Sequence, residues 1–165
     1  MEPEALARLT LTSEDSLRAF GACLAPVLQP GDALLLVGEI GAGKTVLSRA
    51  IIQTRLAAIG VMEDVPSPTF TLVQTYALGN VDLWHCDLYR LTDPEEVLAL
   101  GLEEAFRDAI TLIEWPDRLG NQIPPNALVI DLRIPDATPL QRDMTLTAFG
   151  AEWSRRINPC LDLAA

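Results

Sequence analysis

The stretch Gly38-Glu39-Ile40-Gly41-Ala42-Gly43-Lys44-Thr45 constrains this chain more than any other. It satisfies the pattern G-x-x-x-x-G-K-[ST] at every fixed position. Glycines permit a tight turn in which successive backbone N–H groups converge on one point. A helix beginning there adds unpaired N–H groups and the positive end of its dipole. In such a loop Lys44 reaches the β- and γ-phosphates of a nucleotide, and the Thr45 hydroxyl ligates Mg²⁺. The flanks agree. Pro30-Gly31-Asp32 is a turn signal, and Ala33-Leu34-Leu35-Leu36-Val37 is a short apolar run of the kind found in strands buried on both faces. Downstream, Leu47, Ala50, Ile51, Thr54 and Ala58 recur at helical spacing, and Gly60 is a stop signal. Lys44 is the only lysine among the 12 Lys and Arg residues.

The rest of the chain organises around this unit. A first strand is expected at Ala7–Leu11, followed by a helix opened by a capping box of Thr12 and Asp15. Its apolar face is Leu17, Phe20, Leu24 and Leu28, and Pro26 kinks or ends it. After the extended Val65-Pro66-Ser67-Pro68, alternation predicts a strand over Thr69–Leu78, with Phe70, Leu72, Tyr76 and Leu78 on one side. Gly79-Asn80 is a hairpin turn, and Val81–Tyr89 is the return strand. Asp93 caps a helix with Pro94 in its first turn, Gly101 ends it, and Leu102–Asp108 forms a further helical turn. Ala109–Glu114 is a hydrophobic strand ending in a carboxylate, stopped by Pro116. Alternating Leu128, Ile130, Leu132 and Ile134, then Met144, Leu146 and Ala148, form a closing hairpin around the loop Pro135–Gln141. The implied fold is α/β: a phosphate-loop nucleotide-binding fold with a mixed sheet, its parallel centre flanked by antiparallel hairpins. Residues 1–165 read as a single domain, with 151–165 a partly ordered tail.

Composition narrows the function. The net charge of −11 argues against unaided nucleic-acid binding, which relies on Lys and Arg contacts to phosphate. A phosphate ligand must then be held by local potential, since the acidic exterior is screened beyond about 8–10 Å. No run of about 18 apolar residues and no secretory signal is visible, so no membrane contact is expected. Cys23, Cys86 and Cys160 are scattered and read as unpaired thiols, which fits a reducing cytoplasm.

Other residues carry two readings each. Ser67-Pro68-Thr69-Phe70-Thr71 can be a switch whose Thr69 senses a γ-phosphate, yet Thr69 and Thr71 also suit a strand. Asp87 can hold Mg²⁺ or orient water, or simply form a turn; Arg90 can meet a phosphate. His85, the only histidine, has no second ligand at metal spacing and reads as a packed or surface residue. Glu114 stands where phosphate-loop enzymes place an acid beside Mg²⁺, or is a cap. Trp115 lies beside a nucleotide or in the core. A small-molecule phosphotransferase is a rival function, with Arg90 and Arg118 as candidate phosphate groups, but no arginine-rich lid is visible. A GTPase is disfavoured because its N-K-x-D motif needs a lysine, and Lys44 is already used. A non-enzymatic nucleotide sensor is the remaining alternative.

Several segments together resemble the TsaE (YjeE) family. They are the loop Gly38–Thr45, Ser67-Pro68-Thr69-Phe70-Thr71-Leu72-Val73, His85-Cys86-Asp87-Leu88-Tyr89-Arg90-Leu91, Asp93-Pro94-Glu95-Glu96, Leu100-Gly101-Leu102 and Leu112-Ile113-Glu114-Trp115-Pro116. Order and spacing agree over about residues 10–150. Departures are mild: Glu39 and Cys86 stand where the family usually has Asp and Phe, and Val46 where it often has a second Thr. The resemblance implies an ATP-binding and ATP-hydrolysing subunit. It would be required for the threonylcarbamoyl group on adenosine 37 of tRNAs reading codons that begin with adenine. It would act in the cytoplasm with TsaB and TsaD and meet tRNA only through them. The implied cofactors are ATP and Mg²⁺. The implied catalytic residues are Lys44, Asp87, Glu114 and a switch-like Thr69. Nucleotide contacts fall to Glu39, Ile40, Gly41, Ala42, Gly43, Lys44, Thr45 and Trp115, and the metal to Thr45, Glu114 and Asp87.

Overall fold

The apolar run Ala33–Val37 forms strand β2, buried along its length except at Val37. A strand with no polar face needs cover on both sides and parallel neighbours, and β2 has them. It pairs in parallel with β5 (Ile110–Glu114) and with β6 (Ala127–Arg133). The computed structural model describes residues 2–150 and 152–164. Its seven-stranded sheet runs β1-β7-β6-β2-β5-β4-β3, with β1 at Glu4–Leu11, β3 at Val73–Ala77, β4 at Asp82–Asp87 and β7 at Arg142–Phe149. β4 joins β5 in parallel; β3–β4, β6–β7 and β1–β7 are antiparallel. The mixed sheet expected from the two hairpins is present, with β1 as an added edge.

Alternation along the central strands divides the core. Leu34, Leu36, Leu83 and Leu112 face helices α1 (Glu14–Leu24), α2 (Lys44–Ala58) and α5 (Trp153–Leu161). Ala33, Leu35, Cys86 and Ile113 face α3 (Pro94–Leu98) and α4 (Leu102–Asp108). Helix starts follow capping chemistry. Asp93 accepts from the Glu95 N–H before Pro94, as expected. The box at α1 lies one residue beyond the predicted one: Ser13 and Ser16 exchange hydrogen bonds, each at 3.1 Å.

Three expectations are corrected. The strand predicted from Thr69 begins only at Val73, because the Leu72 N–H donates to the Pro68 carbonyl at 2.7 Å and Leu72 takes a left-handed conformation with φ 68°. The turn throws Phe70 into solvent rather than into the sheet. Cys23 of α1 and Cys160 of α5 form a disulfide, so only Cys86 is a free thiol; pairing across 137 residues is a tertiary fact that spacing does not announce. Burial pushes the Cys86 thiol far above its ordinary value.

The stretch 151–165 is the third. Ala151 and Ala165 lie outside the described residues, but Trp153–Leu161 is a helix that buries Trp153, Ile157 and Cys160, one face at helical spacing. Arg156 reaches from it to the buried Asp32, pairing with both carboxylate oxygens and donating to the Val27 carbonyl at 2.7 Å. Asp32 in turn accepts from the Gln29 N–H at 2.8 Å, which fixes the turn that feeds β2. Arg156→Leu leaves that carboxylate buried without its cation. Stability in urea, followed by tryptophan fluorescence, is expected to fall by about 3 kcal/mol; an unchanged midpoint would mean that α5 does not hold the turn.

Candidate functional site

The loop between β2 and α2 lies at the carboxyl end of the parallel strands, where open α/β sheets place their ligands. Gly43 shows why its last glycine cannot change. Its φ is +112°, and a Cβ there would sit 2.6 Å from Leu17 Cδ2 of α1. Gly41 meets nothing within 4 Å, leaving open space beside the backbone. Ala42 is buried and packs into the core beneath the loop. Ile40 is largely exposed.

Lys44 and Thr45 open α2 beneath the loop. The Lys44 ammonium donates to the Gly38 carbonyl and stands 3.6 Å from the centre of the Trp115 ring, a cation–π contact. Lys44 is 5% exposed. Desolvation pulls its pKa below the ordinary lysine value, while Glu114, Asp87 and Asp117 act to raise it. Trp115 holds this place through a left-handed backbone, φ 59°, and tilts against Tyr89 at 4.8 Å between ring centres.

The two acids arrive by register. Asp87 ends β4 and Glu114 ends β5, paired directly across the ladder and both buried. The Thr45 hydroxyl donates to Glu114 Oε1 at 3.2 Å. Asp87 Oδ2 accepts from the Thr69 hydroxyl at 3.3 Å, and its Oδ1 from the Tyr89 N–H at 3.0 Å. Asp87 is therefore both a turn residue and a member of the site. Ser67 hydrogen-bonds Thr69 at 2.8 Å, so the switch-like segment is tied to the end of β4.

These groups line one cavity of about 360 Å³: Lys44, Thr45, Thr69, Asp87, Glu114 and Trp115 converge there with loop residues 40, 41 and 43. A second cavity of about 590 Å³, lined by Glu39, Trp115, Asp117, Asp131 and Arg133 among others, shares Trp115 as a wall. Arg90 and Arg118 line neither. Arg90 approaches the Thr69 carbonyl at 3.5 Å, and Arg118 pairs with Asp117.

The donors suit a phosphate and a hard cation together. Among the described residues no group of three or more His, Cys, Asp or Glu side chains forms a metal cage. A hydroxyl and two carboxylates beside a glycine-rich loop at a helix start are donor types that suit Mg²⁺, which is held by one or two carboxylates plus ligand phosphates.

Two residues escape a reading of the sequence. His85 is fully buried, with Nε2 2.7 Å from Glu114 Oε2; its signals are its place two residues before Asp87, on the same strand face, and its position at the head of the family-like segment His85–Leu91. Arg142, at the start of β7, donates to the Ala42 carbonyl at 2.8 Å and the Gly41 carbonyl at 3.3 Å. It holds the loop's carbonyls outward from 100 residues away in sequence, and no local pattern marks it.

A family model described as Threonylcarbamoyl adenosine biosynthesis protein TsaE matches residues 11–144. The tRNA threonylcarbamoyladenosine biosynthesis protein TsaE of Rickettsia bellii is 40% identical over 126 residues, 76% of this chain and 85% of that protein. The protein of the same name from Bacillus subtilis is 34% identical over 142 residues, 86% of this chain and 84% of that one. The crystal structure of Bacillus subtilis YdiB aligns with a TM-score of 0.75 at 25% identity, covering 97% of this chain and 96% of that chain.

Arg142→Met keeps the apolar stem and removes the donors. Amide hydrogen exchange of residues 41–43 is expected to quicken by roughly tenfold or more, the loss of a charge-assisted hydrogen bond, while β6 and β7 stay protected. Unchanged exchange in the loop would show that Arg142 does not hold it.

Proposed function

Because the chain belongs to the TsaE family, we propose that it binds ATP with Mg²⁺ and hydrolyses it in support of tRNA threonylcarbamoyladenosine formation. One observation carries the reading: Lys44, Thr45, Asp87 and Glu114 converge in the cavity under the loop. One ammonium and two carboxylates leave the pocket short of positive charge for a triphosphate, so a divalent cation completes the balance.

Each residue has a task in this reading. The loop amides from Gly41 to Thr45 and the start of α2 receive the phosphates. Lys44 exchanges the Gly38 carbonyl for β- and γ-phosphate oxygens. Thr45, Asp87 and Glu114 are the oxygen donors that would hold Mg²⁺, which when bound supplies neutralisation of charge on the phosphates. A carboxylate of the Asp87–Glu114 pair also orients the attacking water. Thr69 reports the γ-phosphate through its segment, in the manner of switch loops. Trp115 borders the nucleoside, with Glu39 and Ile40 at the loop's rim. ATP is favoured over GTP because the lysine of a guanine-reading motif is missing.

Partners complete the cycle. The isolated chain is a slow ATPase, because neither Arg90 nor Arg118 lines the pocket, and an added cationic group can accelerate phosphoryl transfer by about 10³–10⁵. TsaB and TsaD are the proposed partners, with tRNA met through them, since a chain of net charge −11 is poorly suited to grip it. The cytoplasm is the proposed compartment on the family reading alone, since the Cys23–Cys160 disulfide removes the support of unpaired thiols; among the described residues no helix is long and apolar enough to cross a membrane.

Lys44→Ala is expected to weaken Mg-ATP binding roughly tenfold to a hundredfold, from the loss of charge-assisted bonds; calorimetric titration with ATP and GTP checks both affinity and base preference. Equal affinity for the two nucleotides, or an unaffected mutant, would defeat the reading. Glu114→Gln is nearly isosteric and is expected to keep the circular dichroism spectrum while losing phosphate release. Turnover should rise with TsaB and TsaD present and not with tRNA alone; a full rate with tRNA alone would point elsewhere.

A further inference from the structure

His85 is buried on the face of β4 that carries Leu83 and Asp87, against the helix α2 side of the sheet. An ionised carboxylate only accepts hydrogen bonds. The 2.7 Å contact to Glu114 Oε2 therefore assigns the ring hydrogen to Nε2, as donor. Nδ1 has no hydrogen-bond partner among the described residues. The imidazole thus has one polar contact, and it is directed at Glu114.

Glu114 needs that contact. The terminal torsion of a glutamate is broad and roughly two-fold, so the strand alone does not set the plane of its carboxylate. On one side the Thr45 hydroxyl approaches at 3.2 and 3.5 Å, a loose and shared bond. On the other, His85 holds Oε2 at close range. Resting on the reading of this pocket as an ATP and Mg²⁺ site, we propose that His85 is a positioning residue: its Nε2–H fixes the Glu114 carboxylate so that Oε1 faces Thr45 and the cavity. His85 does not touch the nucleotide and exchanges no proton with it.

The test compares His85→Leu, which fills the space without a donor, with His85→Gln, whose amide N–H₂ reaches about as far as Nε2. ADP binding is titrated by calorimetry with and without MgCl₂, melting is followed by circular dichroism, and ATP hydrolysis is measured at saturating Mg²⁺. The leucine variant is expected to melt normally and to bind metal-free ADP within about twofold of wild type. It is expected to lose the tightening of ADP binding that Mg²⁺ provides. Its kcat should fall roughly tenfold to a hundredfold, with KM for ATP within about threefold, as for a lost charge-assisted bond. The glutamine variant should recover both properties to within about threefold. If the leucine variant does not fold, His85→Asn, whose amide stands at the height of Nδ1 and falls short of Glu114, is expected to show the same losses. Wild-type behaviour of the leucine variant, or equal loss in the leucine and glutamine variants, overturns the assignment. A wild-type protein that neither gains ADP affinity with Mg²⁺ nor releases phosphate from ATP overturns instead the reading beneath it, and the assignment with it.

Discussion

A lysine ammonium removed from water stays charged only where acids stand close by. At the start of α2 that condition is met by Glu114, Asp87 and Asp117, which oppose the desolvation of Lys44. Asp87 and Glu114 are themselves buried, and the cation, the Thr45 hydroxyl, the Thr69 hydroxyl and His85 compensate them; Asp117 is exposed and pairs with Arg118. None of these groups is stable alone at its depth. The sheet supplies the common location: β4 and β5 end in register, Asp87 opposite Glu114, while β2 ends beside them and turns into the loop. The parallel centre thus brings the acids beneath the one lysine, and the helix that begins at Lys44 closes the arrangement from above.

Much of this was legible because it is local. A phosphate loop between an apolar strand and a periodic helix fixes its own surroundings, and the hairpin signals at Gly79-Asn80 and across 127–149 gave the antiparallel flanks. Asp87 and Glu114 could be picked out because each closes a hydrophobic run. What escaped depends on atoms distant in sequence. Arg142 acts on main-chain carbonyls, so no complementary side chain signals it. His85 reads as a bland core residue until register sets it diagonal to Glu114. The residues 69–72 alternate like a strand, yet a single left-handed residue, Leu72, overrides the alternation and turns the segment toward Asp87. At α5 the helical spacing of Trp153, Ile157 and Cys160 was present, but its value depends on Asp32 waiting in a buried turn.

The grip of Arg142 on the loop has a consequence for how the sequence can drift. Its guanidinium holds the carbonyls of Gly41 and Ala42, groups that every amino acid carries. Substitution at the exposed Ile40 leaves that grip intact, so the loop's backbone geometry tolerates other side chains there. The arginine has no such freedom: lysine lacks the planar fork that spans two neighbouring carbonyls. Lineages of such proteins are therefore expected to diversify at the loop's exposed rim while the residue that restrains its backbone, far along the chain on another strand, stays fixed.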